Sequence, residues 1–300
     1  MDKFLFLDVV MPNQTHAASD PDLASPFDAA MEARRTSAPD MVRAALERKD
    51  VGLAFQPIVQ SATGGQTIAY YEGLIRVFDD GGRVIPARDF MASVEESDLG
   101  RQLDCAALTL GLRTLRANPE LRLAINMSAR SIGYPKWKNI LGKFIRSHPD
   151  VVERLILEIT ESSAMLMPEI VAAFMTELQS KGITFALDDF GAGYTAFRYF
   201  KDFCFDILKI DGQFTRNVHL DPDNQVLTEA LLSIARHFDM LAVSEAVETQ
   251  AEAQWLVNAG VDCLQGYFFG VPSLKPPWKE NSKKAKSTPQ FLNPSQSAVG

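Results

Sequence analysis

Ionisable and amide side chains occur near the ends of several apolar runs in the middle of the chain, where buried strands are expected. Strands that are buried on both faces usually consist almost entirely of Val, Ile and Leu, so polar residues at these places need a chemical reason. Most of them are carboxylates, and the four histidines lie in predicted helices or loops. The set comprises Glu72, Arg76, Asn126, Glu158, Asp188, Asp189, Lys209, Glu245, Glu248 and Gln265.

A divalent cation would explain this set of residues. Burying many carboxylates together costs several kcal/mol for each one through desolvation and mutual repulsion, unless a cation compensates. Carboxylate and amide oxygens favour Mg²⁺, Mn²⁺ or Ca²⁺ over Zn²⁺ or Cu²⁺. A structural ion pair is a reasonable alternative for Glu158 or Asp188 alone. For the complete set, a metal site is the favoured interpretation.

The adjacent pair Asp188 and Asp189 suggests two metal ions, because one carboxylate of such a pair is able to bridge both. Two-metal sites, with ions about 3.5–4 Å apart, typically stabilise an in-line displacement at phosphorus. Lys209 would then neutralise phosphate charge or orient the attacking water. Metal-assisted hydrolysis of a phosphodiester is therefore the predicted chemistry.

The elements that position these residues alternate between strands and helices. The predicted helices cover residues 87–95, 100–116, 137–147, 169–181, 223–238 and 251–259. The predicted strands are Leu53–Val59, Ile68–Val77, Leu121–Met127, Arg154–Thr160, Thr184–Phe190, Ile207–Ile210, Leu241–Val247 and Cys263–Phe269.

This alternation is typical of an α/β protein, and eight strands favour a closed (β/α)₈ TIM-like barrel. Side chains at the carboxyl ends of barrel strands converge on one face, which is where such enzymes have their active sites. Only a short connection containing Gly64 and Gly65 separates the first two strands, too short for a parallel crossover. We therefore expect an irregular barrel whose first strand pair is antiparallel.

Composition and charge narrow the class of protein. The formal net charge of -8 and the pI of about 5.1 are unsuited to binding a nucleic-acid duplex, which requires a basic surface. Cys105, Cys204 and Cys263 are far apart, so neither a disulfide framework nor a thiolate metal site is expected. No window approaches the ~18 apolar residues of a membrane span, and the first residues do not resemble a secretory signal. We expect a cytoplasmic protein without a membrane partner.

Both ends of the chain differ in composition from the middle. Residues 13–39 are rich in Ser, Ala, Asp and Pro, and the last residues contain a Lys cluster followed by Ser, Pro and Gln. Such segments bury too little apolar surface to fold alone. We expect an N-terminal extension or linker at residues 1–48, the barrel at 49–274 and a disordered tail at 275–300.

The polar residues, taken with their neighbours, resemble the EAL family of bacterial cyclic di-GMP phosphodiesterases from about Ala54 to Pro272. Each motif alone is a common string, whereas the ordered set at these spacings is specific. The motifs are Phe55-Gln56-Pro57-Ile58, Glu72-Gly73-Leu74-Ile75-Arg76, Asn126-Met127-Ser128, Leu157-Glu158-Ile159-Thr160-Glu161, Asp188-Asp189-Phe190-Gly191-Ala192-Gly193-Tyr194, Leu208-Lys209-Ile210-Asp211, Ser244-Glu245-Ala246-Val247-Glu248-Thr249 and Gln265-Gly266-Tyr267.

This resemblance implies hydrolysis of cyclic di-GMP to linear pGpG with Mg²⁺ or Mn²⁺, through two ions, with Ca²⁺ expected to inhibit. The first ion would be bound by Glu72, Asn126, Glu158 and Asp188, and the second by Asp188 and Asp189. Lys209 would contact the nucleophilic water, Glu245 would be the general base or its close partner, and Glu161 would anchor the glycine loop. Substrate contacts would come from Gln56, Glu72, Leu74, Arg76 and Gln265.

Three positions depart from the family pattern without removing a metal ligand. Gly73 replaces the Ala of the Glu-Ala-Leu signature, and we expect this to affect local rigidity more than metal binding. Ala246 replaces a Gly; if the position needs a positive φ, the alanine costs about 1 kcal/mol and shifts Glu245. The segment Phe203–Asp206 lacks the proline that usually precedes the sixth strand.

Three functions stay open at this point. The intact ligand set favours an active cyclic di-GMP phosphodiesterase. Gly73 and Ala246 instead suit a receptor or protein-interaction module that binds cyclic di-GMP without cleaving it. Hydrolysis of another phosphodiester is the third. We also expect a homodimer through the barrel and docking of a partner on the N-terminal segment.

Overall fold

The computed structural model of the protein describes residues 38–192, 201, 203–276 and 278. The expectations for residues 1–37, for most of the C-terminal tail, and for Gly193 and Tyr194 of the glycine loop lie outside the described residues.

Strands and helices alternate through the described part of the chain. Its strands are β1 Val51–Gln60, β2 Ile68–Phe78, β3 Val84–Pro86, β4 Leu123–Asn126, β5 Leu155–Thr160, β6 Thr184–Phe190, β7 Ile207–Ile210, β8 Leu241–Ser244 and β9 Cys263–Gln265. Its helices are α1 (residues 38–48), α2 Met91–Val94, α3 Asp98–Ala117, α4 Pro135–Ser147, α5 Pro149–Val152, α6 Glu161–Ala164, α7 Pro168–Gln179, α8 Gly212–Thr215, α9 Pro222–His237 and α10 Gln250–Ala259.

Eight of the strands close into a barrel, which confirms the predicted fold. The order is β1-β9-β8-β7-β6-β5-β4-β2, and β1 also pairs with β2 to close the ring. Strand β1 is antiparallel to both neighbours, and the others pair in parallel. Strand β3, which the sequence pattern did not predict, adds to the outer edge of β2.

Three boundary predictions were wrong for local backbone reasons. The strand predicted over Cys263–Phe269 ends at Gln265, because the chain then turns, with the N–H groups of Phe269 and Gly270 donating to the Gly266 carbonyl. The helix predicted over 87–95 is a 3₁₀ turn, Ala87–Asp89, followed by the short α2, because Phe90 has a φ of −136° and interrupts the helical backbone. The strand predicted to run to Val247 ends at Ser244, since Ala246 adopts a φ of 52°, which extended backbone does not allow.

Apolar residues fill both the interior of the barrel and the space between its wall and the helices. Helix α3 buries Leu103, Leu108, Leu112 and Leu115 against the wall, at spacings of three to five residues that place them on one core-facing stripe. Inside the barrel lies a separate group, which we call the apolar layer: Ile58, Tyr70, Ala124, Ile156, Ala186, Ile207, Val243 and Cys263.

Residues beyond the expected barrel limits also contact the core. Ala38, Val42 and Ala45 of α1 are buried in it, and the Trp278 ring contacts those of Phe55 and Tyr71. The barrel limits at residues 49 and 274 therefore stay predictions. Core contacts occur both before residue 49 and after residue 274. None of the described helices is long and apolar enough to cross a membrane.

Candidate active site

Each barrel strand supplies one polar residue to a second layer, directly above the apolar layer. Because alternate residues of a strand point the same way, the residue two positions after an apolar-layer residue also faces the interior. Strand β1 runs in the opposite direction, so its polar residue comes two positions earlier. This polar layer consists of Gln56, Glu72, Asn126, Glu158, Asp188, Lys209, Glu245 and Gln265.

Lys209 lies at the centre of the polar layer and is 1% exposed. Its Nζ is 2.7 Å from Glu245 Oε1, 2.8 Å from Asp188 Oδ1, 3.0 Å from Glu158 Oε2 and 3.7 Å from Glu72 Oε2. Four carboxylates therefore surround a single ammonium group. One positive charge does not balance four negative ones, so this part of the site attracts further cations or protons.

The pKa values in the cluster reflect this imbalance. Burial raises the pKa of Glu158 well above its ordinary value, and the Lys209 charge offsets only part of the rise. The Glu245 carboxyl has a raised pKa for the same reasons. Burial lowers the pKa of Lys209, but the surrounding carboxylates, Asp188 first, outweigh it and raise that pKa well above the ordinary value. Lys209 is therefore a permanent cation.

Amide groups hold Glu72 in place on the other side of the polar layer. Asn126 Nδ2 donates to Glu72 Oε1 over 2.7 Å, and Gln265 Nε2 donates to Glu72 Oε2 over 2.6 Å. The same Gln265 nitrogen is 3.2 Å from Gln56 Oε1, and Gln56 Nε2 donates to the Gly270 carbonyl. These bonds orient Glu72 without adding charge.

A β-bulge brings two consecutive carboxylates to the site. Consecutive residues of a regular strand point to opposite faces. The pairing of β6 with β7 shifts register between Leu187 and Phe190, and Asp189 has a φ of 54°. Carboxylate oxygens of Asp188, Asp189 and Glu245 consequently all lie within 4.8 Å of one another, as do those of Glu72, Glu158 and Asp188.

The residues fit a divalent cation. Among the described residues, no donor reaches the buried Glu158 Oε1. The buried Asp188 Oδ1 has only the Lys209 ammonium, 2.8 Å away, and Lys209 is shared with three other carboxylates. A buried acceptor without a donor is costly, and a metal ion would satisfy Glu158 and add to the charge balance at Asp188. The two oxygen clusters share Asp188, which is the residue expected to bridge two ions.

Glu161 lies just after β5 and contacts the loop that follows β6. Its Oε2 accepts a hydrogen bond of 3.1 Å from the Gly191 N–H, and Gln213 Nε2 donates to the carbonyl of the same glycine. Gly191 has a φ of 91°, a conformation that favours glycine. The start of the loop is thereby fixed from two sides.

A cavity of 310 Å³ adjoins the polar layer between β2, α2 and α3. Leu74, Met91 and Leu103 are among its lining residues, next to Glu72 and Asp188 of the site. Arg76 follows on the same face of β2 and is half-buried; burial lowers its pKa, and Nη1 donates to the Ile75 carbonyl. Leu74 and Arg76 thus lie outside the carboxylate cluster, along the strand that also supplies Glu72.

The cavity wall contains a carboxylate that the sequence analysis missed. Asp104 of α3 accepts hydrogen bonds from the Ser131 hydroxyl, over 2.6 Å, and from the Ser128 N–H, over 3.0 Å. Burial raises its pKa to about 6. An acidic residue four positions before Leu108, on the apolar stripe of the predicted helix, was the available signal.

The two substituted signature positions have identifiable neighbours. A Cβ at Gly73 would be 2.8 Å from Ile125 Cδ1, so Ile125 occupies the space that an alanine methyl would need. Ala246 has a positive φ of 52°, the condition under which the sequence analysis expected strain. Such a conformation costs a non-glycine residue about 1–2 kcal/mol. Both carboxylate clusters are nevertheless assembled.

Comparison with known proteins gives a consistent result. The profile of the EAL domain matches residues 40–272, most of the chain. The cyclic di-GMP phosphodiesterase PdeF of Escherichia coli is 30% identical over 232 residues, which are 76% of this chain and 30% of PdeF. The bifunctional diguanylate cyclase/cyclic di-GMP phosphodiesterase MucR of Pseudomonas aeruginosa is 28% identical over 77% of this chain and 34% of MucR. The chain thus spans about a third of these relatives.

Solved structures have the same fold. The PaMucR phosphodiesterase in its c-di-GMP complex superposes with a TM-score of 0.69 at 28% identity, covering 79% of this chain and 97% of the other. The EAL domain of Xanthomonas citri FimX, in complex with c-diGMP, gives 0.71 at 24% identity, covering 83% and 99%. At that identity the FimX match shows the fold alone.

Proposed function

Because this chain belongs to the EAL domain family, we propose that it is a metal-dependent phosphodiesterase that hydrolyses cyclic di-GMP to linear pGpG in bacterial signalling. The observation that carries the proposal is the pair of carboxylate clusters sharing Asp188, together with the buried Glu158 Oε1, which no donor reaches among the described residues. Such clusters suit hard divalent cations, and the adjoining cavity offers room for part of a nucleotide.

Most of the metal ligands in this proposal belong to the two clusters. Glu72, Glu158 and Asp188 of the first cluster, together with Asn126, would hold one Mg²⁺ or Mn²⁺, and Asp188 with Asp189 of the second cluster would hold another. The Asn126 amide nitrogen is engaged by Glu72, so its carbonyl oxygen would be the ligand atom. Bound ions would polarise the phosphodiester and lower the pKa of a coordinated water.

Two side chains of this protein would then accept the water proton and stabilise the negative charge of the phosphoryl group. In the reaction, a water oxygen bonds to phosphorus, the P–O3′ bond breaks, and the O3′ oxygen takes up a proton. Glu245 is the proposed acceptor of the water proton, since its raised pKa makes it a stronger base than an ordinary carboxylate. Lys209 would orient the water and stabilise charge on the phosphoryl oxygens, because it stays protonated.

Substrate recognition is assigned to the residues around this centre. Gln56 and Gln265 present amides at the edge of the polar layer, Leu74 provides an apolar wall of the cavity, and the Arg76 guanidinium would pair with a phosphate or a base edge. Glu161 would act indirectly, through the Gly191 loop.

The decisive test is incubation of the protein with cyclic di-GMP in Mg²⁺ or Mn²⁺, with EDTA and Ca²⁺ as controls, and separation of products by chromatography. We expect pGpG in Mg²⁺ and Mn²⁺ and little or none in EDTA or Ca²⁺. Asp188→Asn should lower kcat by at least about 10³-fold, because it removes the shared ligand. Undiminished activity of this variant would refute the metal assignment.

Two other outcomes separate the alternatives. Tight calorimetric binding of cyclic di-GMP in Mn²⁺ without product would identify a receptor. Hydrolysis of a generic phosphodiester such as bis(p-nitrophenyl) phosphate, with no turnover of cyclic di-GMP, would indicate a different substrate.

The assembly and location of the protein are further proposals. We infer a homodimer through the barrel and docking of a partner on the N-terminal segment, and sedimentation equilibrium showing only monomer would contradict the first. A cytoplasmic location is supported by Cys105, Cys204 and Cys263, all of which are free thiols.

A further inference from the structure

Ala246 occupies a backbone position that the neighbouring strands fix on both sides. The Glu245 N–H donates to the Ile210 carbonyl of β7 over 3.1 Å, and the Val247 N–H donates to the Gln265 carbonyl of β9 over 3.0 Å. Val247 itself is fully buried. The turn therefore cannot relax the positive φ of Ala246 without breaking these bonds.

The methyl group of Ala246 points at Gly212, the first residue of α8. A Cβ built on Gly212 would be 2.6 Å from the Ala246 Cβ, closer than real Cβ atoms approach one another. Gly212 does not have a positive φ, so its backbone would accept alanine. Position 212 therefore requires glycine because of the limited space and not because of its backbone conformation. Between residues 212 and 246 there is room for one methyl group only.

Helix α8 is as firmly fixed as the turn that it faces. The hydroxyls of Thr215 and Ser244, both fully buried, are 2.7 Å apart and join α8 to β8. The Asp211 carboxylate caps α8 by accepting a hydrogen bond from the Gln213 N–H. The Gln213 side chain donates a hydrogen bond to the Gly191 carbonyl. A second methyl between α8 and the turn must therefore move elements that adjoin the site.

We propose that Gly212 is a positioning residue for Glu245: by leaving space for the Ala246 methyl, it allows the turn after β8 to keep the Glu245 carboxylate at its 2.7 Å distance from Lys209 Nζ. The expected effect on kcat rests on the proposed function. The steric coupling between Gly212 and Ala246 is independent of that function.

Five variants of the full chain test this pair: Gly212→Ala, Ala246→Gly, the double variant of these two changes, and, as matched controls, Gly111→Ala alone and Gly111→Ala combined with Ala246→Gly. A Cβ at Gly111 would lie 2.8 Å from Ile125, a comparable clash with different neighbours. For each protein, kcat and KM for cyclic di-GMP in Mn²⁺ and the midpoint of thermal unfolding are measured.

Gly212→Ala should lower kcat about 10- to 100-fold with KM within about twofold, because displacement of a reacting group by about 1 Å has effects of this size. Adding Ala246→Gly should restore kcat to within about threefold of the parent. The same change should not rescue Gly111→Ala. A Gly212→Ala protein with unchanged kcat, or a double variant no better than the single one, would overturn the proposal.

Unfolding separates this inference from the proposed function. If the parent protein does not hydrolyse cyclic di-GMP, the proposed function fails, but Gly212→Ala should still lower the midpoint by about 3–8 °C and Ala246→Gly should reverse it. Absence of that reversal would overturn the coupling itself. If Gly212→Ala does not fold, folding of the double variant supports the coupling, and failure of both overturns it.

Discussion

The apolar and polar layers of the barrel interior are built by the same eight strands, two residues apart, yet they have opposite properties. The lower layer contains hydrocarbon side chains, one thiol and one phenol. The upper layer contains four carboxylates, one ammonium and three amides. The lower layer packs beneath the site and supports the strands. Its low polarity also explains the raised pKa values of Glu158 and Glu245 above it.

The difference indicates a division of labour between stability and function. Apolar burial contributes about 25 cal/mol per Å² of surface removed from water, whereas a buried carboxylate cluster is unfavourable until a cation compensates it. The lower layer should therefore stabilise the fold under all conditions. The upper layer should do so only with its cations in place.

The largest expected effect is that of Lys209→Met, which removes the central ammonium and keeps the side-chain length. Without a divalent ion, we expect a loss of about 3–5 kcal/mol in the free energy of unfolding, because four carboxylates lose their cation. Added Mn²⁺ should recover part of this loss by binding the folded state. Urea unfolding with and without Mn²⁺ measures both values, and a loss independent of Mn²⁺ would contradict this account.

The pH dependence of the same variant follows from the signs of the pKa shifts. A carboxyl whose pKa is raised on folding contributes stability below its unfolded pKa and loses that contribution as the pH rises through the folded value. Glu158 and Glu245 already have raised pKa values, and removal of Lys209 raises them further. The deficit of Lys209→Met should therefore be larger at pH 8 than at pH 5.

Ile156→Ala is the matching change in the apolar layer. Ile156 is 5% exposed, and truncation of a buried isoleucine typically costs about 2–5 kcal/mol because a cavity remains. We expect a loss of about 3 kcal/mol that is the same with and without Mn²⁺. A loss that Mn²⁺ reverses would show that the two layers are not energetically separable.

Asp104→Asn tests a third kind of buried group, because the Asp104 carboxylate has hydrogen-bond donors but, among the described residues, no salt bridge to a cation. Its pKa of about 6 means that it contributes stability below about pH 4 and loses it as the pH rises to 6. Asparagine keeps an acceptor and cannot ionise. The variant should gain at most about 2–3 kcal/mol at pH 8 relative to the parent, reduced by the exposure of Asp104 to the cavity.

At pH 4 the Asp104→Asn variant and the parent should differ little, because the parent carboxyl is then protonated. Urea unfolding at the two pH values checks this. If the free energies of unfolding of the parent and the variant differed by the same amount at pH 4 and pH 8, the ionisation of Asp104 would not be the cause of the stability difference.

The smallest effect is expected for Tyr70→Phe. Tyr70 Oη is buried in the apolar layer and has no hydrogen-bond partner in the part of the chain that the structure describes, and burial raises its pKa well above the ordinary value. Its removal leaves the packing intact, so we expect a gain of up to about 1 kcal/mol. A loss of that size would instead indicate a partner for the hydroxyl, such as a buried water.

Much of this architecture was predictable from the sequence for simple reasons. The apolar runs identified all eight barrel strands, and the short connection at Gly64 and Gly65 correctly predicted the antiparallel β1–β2 pair. Strand β3 and the break at Phe90 were missed, because three-residue strands and single irregular dihedrals leave no periodic pattern. Asp104 was missed because a polar residue on an apolar helix stripe looks like a boundary position.

The type of chemistry follows from the amino-acid sequence alone: the strand alternation puts an apolar and then a polar residue on each interior face, and the residue types favour a divalent metal and phosphodiester hydrolysis. Three features follow only from the folded arrangement. These are the bulge that turns Asp189 toward Asp188 and Glu245, the number of carboxylates around Lys209, and the fit of Ala246 against Gly212. Each depends on distances between strands that are far apart in the chain, and side-chain pattern along one strand contains no information about such distances.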